Sequence, residues 1–309
     1  MAVPPGGPSG AAPARAQHLP WGTFLDRENV LGYVLICPAL LLLAVFIAYP
    51  FLLGIWFSLT DKMVGQQANF VGLQNFGRLL GDSIFLQTVR NTLVYTVSTV
   101  SLKLVMGMAL ALLMNQHFPF KNLVRAALLL PWIVPTALST IAWLWIFDPT
   151  FSVANWVIVN LGLGSKINWL GNPTLAMTAI VIVNVWRGVP FFAITLLAGL
   201  QMVSQELHEA AAIDGANRVR RFWHVTVPSI RPVILLVVIF STIWTIADFQ
   251  LVYILTRGGP SNSTHLFATL AYQVALVSAR LGEGAAISLY MFPFLLVSIG
   301  IVLWQIRRD

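Results

Sequence analysis

Charge is scarce in this chain of 309 residues: Asp, Glu, Lys and Arg make up 9% of it, while 58% is hydrophobic. A soluble domain of ordinary composition carries roughly 25% charged residues. A chain this poor in charge cannot cover its own surface with polar groups. Cysteine is nearly absent too. Cys37 stands alone, which excludes an internal disulfide and a Cys-based metal cluster. No small residue precedes it and no apolar run lies ahead of it, as a lipoprotein signal requires, so it reads as a small membrane-buried residue. There is no GxxxxGK[ST] loop for nucleotide and no HExxH pair for zinc. His18, His117, His208, His224 and His265 are scattered over tail and loops. No catalytic set and no metal site is marked. The net charge of +7 lies in short loops and not in a nucleic-acid-binding patch.

What the chain does have is long apolar runs. Several exceed the ~18 residues that mark a membrane helix, so the protein is all-α and polytopic. Six spans are predicted: 31–57, with Pro38 and Pro50; 92–114, with Lys103; 123–147, with Pro131 and Pro135; 175–200, with Arg187 and Pro190; 233–255, with Asp248; and 285–306. Residues 1–29 read as a disordered tail rich in Pro, Gly and Ala, without the apolar region and cleavage site of a signal peptide. Residues 30–88 hold the first span and a loop, and 89–309 the remaining transmembrane domain.

Loop charge predicts orientation. With the N-terminus inside, Arg15, Arg27, Lys121, Arg125, Arg218, Arg220, Arg221, Arg231, Arg307 and Arg308 are cytoplasmic. Lys62, Arg78, Arg90, Lys166, Arg257 and Arg280 are outside. The larger share lies inside, which favours cytoplasmic N- and C-termini.

The densest polar segment, 201–228, therefore faces the cytoplasm. Glu206, Glu209, Ala210, Ala211, Ala212 and Ile213 open a helix, with acidic residues early where the helix dipole favours them. Gly215 interrupts, the Arg cluster follows with Phe222 and Trp223, and Pro228 precedes the next span. A loop that only sets topology explains the arginines but not the Glu-Ala-Ala run or Gly215. Small residues permit close approach, and aromatics beside Arg are common interface anchors.

Glu209-Ala210-Ala211, three residues, Gly215, nine residues and Val225-x-Val227-Pro228 resemble the EAA loop of binding-protein-dependent ABC importer permeases. Val225 and Val227 replace the family's Ile and Leu. Asn184–Phe192, Leu197–Gln201, Tyr253–Pro260, Gly284–Ala286 and Val71–Phe76 resemble further segments of the maltose-type carbohydrate subgroup, in the same order. The resemblance covers about residues 30–306. It implies a type I ABC importer (MetI-like) permease fold in a bacterial-type inner membrane. It implies a coupling role for Glu209, Ala210, Ala211, Asp214, Gly215, Phe222, Trp223 and Pro228, docked on an ATPase subunit. The EAA loop occurs once and such importers need two. A second homologous permease, two ATPase subunits holding ATP and Mg, and an extracytoplasmic solute-binding protein are thus implied, with no cofactor in this chain.

A charge at mid-bilayer costs about 3 kcal/mol or more, so Lys103, Arg187 and Asp248 each need a partner or a wet cavity. Arg187 and Asp248 either pair or line a cavity together. Trp244 and Asp248 are i, i+4 on one predicted helix with Thr245 beside them; Val189 and Phe192 are i, i+3 on another. In the resembled family these two spans line the sugar path, which marks Arg187, Gly188, Val189, Phe192, Trp244, Thr245, Asp248 and Gln250. Family members often carry Asp where Gln250 stands; here Asp248 is the nearby carboxylate. Plain helix packing is the alternative for Trp244 and Phe192. The substrate class read here is a mono-, di- or oligosaccharide, the alternatives being glycerol phosphate or another polar solute. An ion-coupled secondary transporter using Asp248 and a membrane enzyme are the rival functions.

Overall fold

The computed structural model describes residues 28–162 and 164–306. Of the expected tail 1–29, residues 1–27 lie outside these, as do Arg307 and Arg308; Glu28 and Asn29 already belong to a helix. The described residues are helical, joined by loops, with one isolated β-bridge between Thr60 and Phe70. The chain forms two compact units, Met1–Gly54 and Ile55–Asp309.

In the first unit, helix Glu28–Leu43 runs into a π-helical turn, Ala44–Ala48, ahead of Pro50. A proline supplies no N–H, and the wider turn carries its ring. The same device recurs at Phe222–Thr226, ahead of Pro228. Cys37 is exposed at the protein surface of the first helix, within the candidate span Val30–Ser58.

In the second unit the principal helices are Ser83–Asn115 and Pro173–Met202, which make the most extensive interhelical contact. Asp82 caps the first, accepting from the Ile84 and Phe85 N–H groups at 2.7 and 3.2 Å. Asn172 caps the second through Thr174 and Leu175, with Pro173 at the helix start. They approach closely because Gly107 lies directly against Phe192; a Cβ there would overlap the Phe192 Cβ. Small residues at such crossings let backbones meet where lipid offers no hydrophobic drive. Phe192, Ala193, Leu196 and Leu197 then pack with Val100, Ala111 and Val237 as one core cluster.

Four helices are long and apolar enough to cross a bilayer: Val30–Ser58, Ser83–Asn115, Pro173–Met202 and Leu281–Ile301. Two bent pairs bring the number to six among the described residues. The first of these pairs, and a separate break after Ile246, interrupt two of the spans the sequence predicts. The expected span 123–147 is two helices, Lys121–Ile133 and Thr136–Ile146, at 90°. Pro135 causes this, because the residue before a proline is driven out of the helical region; Val134 sits at φ −63°, ψ 131°. The limbs are roughly 20 and 16 Å long, and neither alone spans a core of about 30 Å. The expected span 233–255 is also broken. Helix Arg231–Ile246 ends, Ala247–Phe249 are non-helical, and the chain resumes as Gln250–Leu255.

The segment 256–266 is pinned from the side. Asn91 Nδ2 donates to the carbonyls of Ser263 and His265 at 2.9 and 3.3 Å. Burial pushes the His265 imidazole down to about 4, so it packs as a neutral ring against Gly258 and contacts Thr269 Oγ1 at 3.2 Å.

Gly107→Ala is expected to separate the two principal helices and cost roughly 1–3 kcal/mol of stability. Thermal unfolding of the detergent-solubilised complex measures this, and an unchanged midpoint would refute the close-approach argument.

Candidate functional site

The break at Ala247–Phe249 releases backbone groups at membrane depth, which is tolerated only inside protein or beside a cavity. Both conditions hold here. Asp248 lies in the break, half-buried, and its Oδ2 accepts from the Tyr95 hydroxyl at 2.8 Å and from Asn184 Nδ2 at 2.9 Å. Tyr95 comes from helix Ser83–Asn115 and Asn184 from helix Pro173–Met202. One carboxylate thus joins three separate helical segments.

Beside it is a cavity of about 290 Å³. One wall is a single stripe of helix Pro173–Met202: Asn184, Arg187, Gly188 and Phe191, at i, i+3, i+4 and i+7, with Phe192 next to it. A second wall is Ser241, Trp244 and Thr245 of helix Arg231–Ile246, followed by Asp248. Lys103 and Trp132 complete the lining. Trp132 stacks on Phe191 at 5.1 Å between centroids, and Trp244 lies 5.2 Å from Phe191 and 5.7 Å from Trp132. The Arg187 guanidinium lies 5.8 Å from the Trp132 ring centroid, a cation–π contact.

Lys103 is the most enclosed cation, 4% exposed. Its Nζ donates to Ser241 Oγ at 3.0 Å and Thr245 Oγ1 at 3.1 Å. Its stem reaches them across Gly188, where a Cβ would overlap Lys103 Cδ. Gly188 is therefore small because a lysine passes over it. Arg187 and Asp248 share the cavity without forming a salt bridge; the one among the described residues is Arg280–Glu283.

Six residues the sequence singled out are brought together here: Arg187, Gly188, Phe192, Trp244, Thr245 and Asp248. Val189 and Gln250 are not. Val189 is 5% exposed and points into the packed interior, one position off the polar stripe. Gln250 is exposed and outside the lining. The break also removes the shared helix face assumed for Trp244 and Asp248, although both reach the same cavity. Sequence reasoning missed Tyr95, Trp132, Asn184, Phe191 and Ser241, and noted Lys103 without placing it. The signal for Asn184, Phe191 and Ser241 was present: i, i+3, i+4, i+7 spacing around Arg187 and Trp244. Nothing local marks Tyr95 or Trp132.

The second candidate site is the segment 203–230. Ser204 caps helix Gln205–Ile213, accepting from the Glu206 N–H at 3.2 Å. That helix ends with Ala216 N–H bonded to Ala211 O at 2.9 Å and Gly215 N–H to Ala212 O at 3.0 Å. These are the paired bonds of a Schellman ending, which puts Gly215 in the left-handed region at φ +79°. Asp214 is the last residue before that turn. Helical residues Arg218–Ser229 follow and bend by 70° into Arg231–Ile246. Arg221 Nη1 donates to the His208 carbonyl at 3.4 Å, tying the two arms together. Glu209 is exposed and accepts from Gln205 Nε2 at 3.0 Å; Ala210 and Pro228 are also exposed, and Ala211 is half-buried. Phe222 and Trp223 meet edge to face at 5.1 Å. Leu207, Ile213, Val219 and Trp223 are exposed apolar side chains on this otherwise charged segment. The result is a braced knob that carries exposed apolar side chains.

Fold and site define a helical membrane permease whose solute-sized polar cavity is lined by the two helices that flank a protruding loop. Residues 103–308 match the family described as binding-protein-dependent transport system inner membrane component, and the chain belongs to that family. It is 38% identical over 283 residues to the trehalose/maltose transport system permease protein MalF of Thermococcus litoralis, covering 91% of this chain and 95% of that one. It is 34% identical to the sulfoquinovosyl glycerol transport system permease protein SmoG of Agrobacterium fabrum, covering 93% and 94%. The fold is shared with the crystal structure of a bacterial ABC transporter involved in import of the acidic polysaccharide alginate. That match has a TM-score of 0.77 at 21% identity, covering 93% of this chain and 97% of that one.

Asp248→Ala leaves the Tyr95 hydroxyl and the Asn184 amide without their acceptor. It is expected to destabilise the protein by roughly 1–3 kcal/mol, and Asp248→Asn, which keeps an acceptor oxygen, by less. Equal unfolding midpoints for both variants and the parent would show that the carboxylate holds nothing together.

Proposed function

We propose that this chain is one of two homologous permease subunits of an ATP-driven importer, and that it moves a saccharide delivered by an extracytoplasmic binding protein. The observation that carries the reading is the cavity. Aromatic faces of Phe191 and Trp244 stand beside Asn184, Ser241 and Thr245 hydroxyl and amide groups and the charges of Lys103, Arg187 and Asp248. Sugar rings present apolar faces to aromatics and hydroxyls to polar groups. The printed activities of the two relatives, trehalose/maltose and sulfoquinovosyl glycerol transport, support the same class.

In this reading ATP and Mg are bound and hydrolysed by two partner ATPase subunits, and this chain holds neither. The knob 203–230 docks on one of them, with both termini on the same cytoplasmic side. Docking uses the exposed apolar residues Ile213, Val219 and Trp223, a composition suited to a protein groove. The braced arms let a rigid-body shift pass into the helices on either side. An ion-coupled transporter centred on Asp248 is the rival. It is disfavoured by the commitment of that carboxylate to Tyr95 and Asn184.

Reconstitution of the assembled importer in proteoliposomes tests the reading. Uptake is expected to require internal ATP and to survive an uncoupler; collapse with the uncoupler returns Asp248 to the ion-coupled reading. Gly215→Val has open space around it but cannot hold φ +79° without strain. Glu209→Lys sets a cation on the short helix beside a basic cluster. Each is expected to reduce uptake more than about tenfold while the protein remains in the membrane, a loss of over ~1.4 kcal/mol in coupling. Near-normal uptake with stimulated ATPase in both would make the knob a topology device only.

A further inference from the structure

The charge lining the cavity is unbalanced. Lys103 and Arg187 face it with a single carboxylate, Asp248. Lys103 gives two donors to Ser241 and Thr245, neutral hydroxyls that offer no counter-charge. An ammonium has three N–H donors, so one is left. Arg187 lies on the Trp132 ring, and its enclosed Nε has no acceptor among the described residues. Asp248 is taken up by Tyr95 and Asn184 and makes no salt bridge with either cation. One carboxylate shared by a buried ammonium and a half-buried guanidinium leaves the lining with a net positive charge, and two such cations facing one cavity suit a carboxylate or sulfonate.

We propose that the saccharide carried by this permease bears a negative charge, a carboxylate or a sulfonate, and that Lys103 and Arg187 are the groups that receive it. Its ring then lies against the aromatic wall of Phe191 and Trp244. Gly188 is a positioning residue, since it gives the Lys103 stem its passage. The proposal rests on the saccharide reading above and adds the charge of the cargo and the residues that select it.

The test uses the complete importer in proteoliposomes with three probes: sulfoquinovosyl glycerol, a disaccharide containing glucuronate, and neutral trehalose. At least one anionic probe is expected to accumulate, and trehalose is not. Lys103→Met and Arg187→Gln are each expected to lower that uptake by about 10- to 100-fold, the worth of a hydrogen bond to a charged group. Arg187→Lys, which keeps the charge, is expected to retain more uptake than Arg187→Gln, an ordering that a purely structural arginine would not produce. Accumulation of trehalose alone, or of all three probes alike, overturns the charge assignment and leaves the saccharide reading standing. Anionic uptake unchanged in both neutralised variants overturns the roles of Lys103 and Arg187. Uptake of none of the three by a complex that hydrolyses ATP overturns both readings.

Discussion

Backbone and charge inside a bilayer must be satisfied by the protein itself, and the second unit is organised around one place where this is hard to do. At Ala247–Phe249 a membrane helix stops and restarts. The break is held by Asp248, whose Oδ2 accepts from Tyr95 on one helix and Asn184 on another. Leaving such donors unpaired in low dielectric is expensive, so the three segments are specified together. The cavity lies directly beside this arrangement, with Asp248 in its lining.

Glycine decides the second half of the arrangement. Gly107 lets Ser83–Asn115 and Pro173–Met202 meet at Phe192, and Gly188 lets the Lys103 stem cross the same seam. The first contact is apolar and sets the spacing. The second uses that spacing to bring an ammonium to Ser241 and Thr245 on a third helix. Both contacts are therefore drawn from one crossing: the helices must be close for the lysine to reach its partners.

Much of this was legible in the sequence. Apolar runs marked most of the helices to within a few residues, since length and hydropathy are local properties, although helix Ser83–Asn115 begins well before the predicted start at 92. Gly215 was legible as a turn because a left-handed residue favours glycine whatever surrounds it. The two breaks were legible only in part. Pro135 announced its own, yet the angle of 90° depends on packing. The break at Asp248 has no proline or glycine in it, and its cause lies in residues 153 and 64 positions away. The same limit applies to Val189 and Phe192: the i, i+3 pairing is a valid helical spacing, yet Phe192 reaches the cavity lining and Val189 packs in the core. Periodicity identifies faces, while only tertiary contacts say which face meets what.

The knob and the cavity are connected by the chain in a way that favours transmission. Segment 203–230 joins the two helices that form the cavity walls, Pro173–Met202 and Arg231–Ile246. Along the first, Arg187 lies fifteen residues before the helix end; along the second, Trp244 lies thirteen residues after its start. At 1.5 Å per residue these are roughly 22 and 20 Å, so both walls extend to a similar depth from the knob. Near the knob the helices are clamped together, since a Cβ on Gly199 would lie 3.2 Å from Val233. In the proposed coupling role, a shift imposed on the knob would enter both walls at their joined ends. The far end of one wall is the break at Asp248, where the helix already gives way. That break is bridged by the carboxylate shared by three segments, in the lining that also holds the two cations.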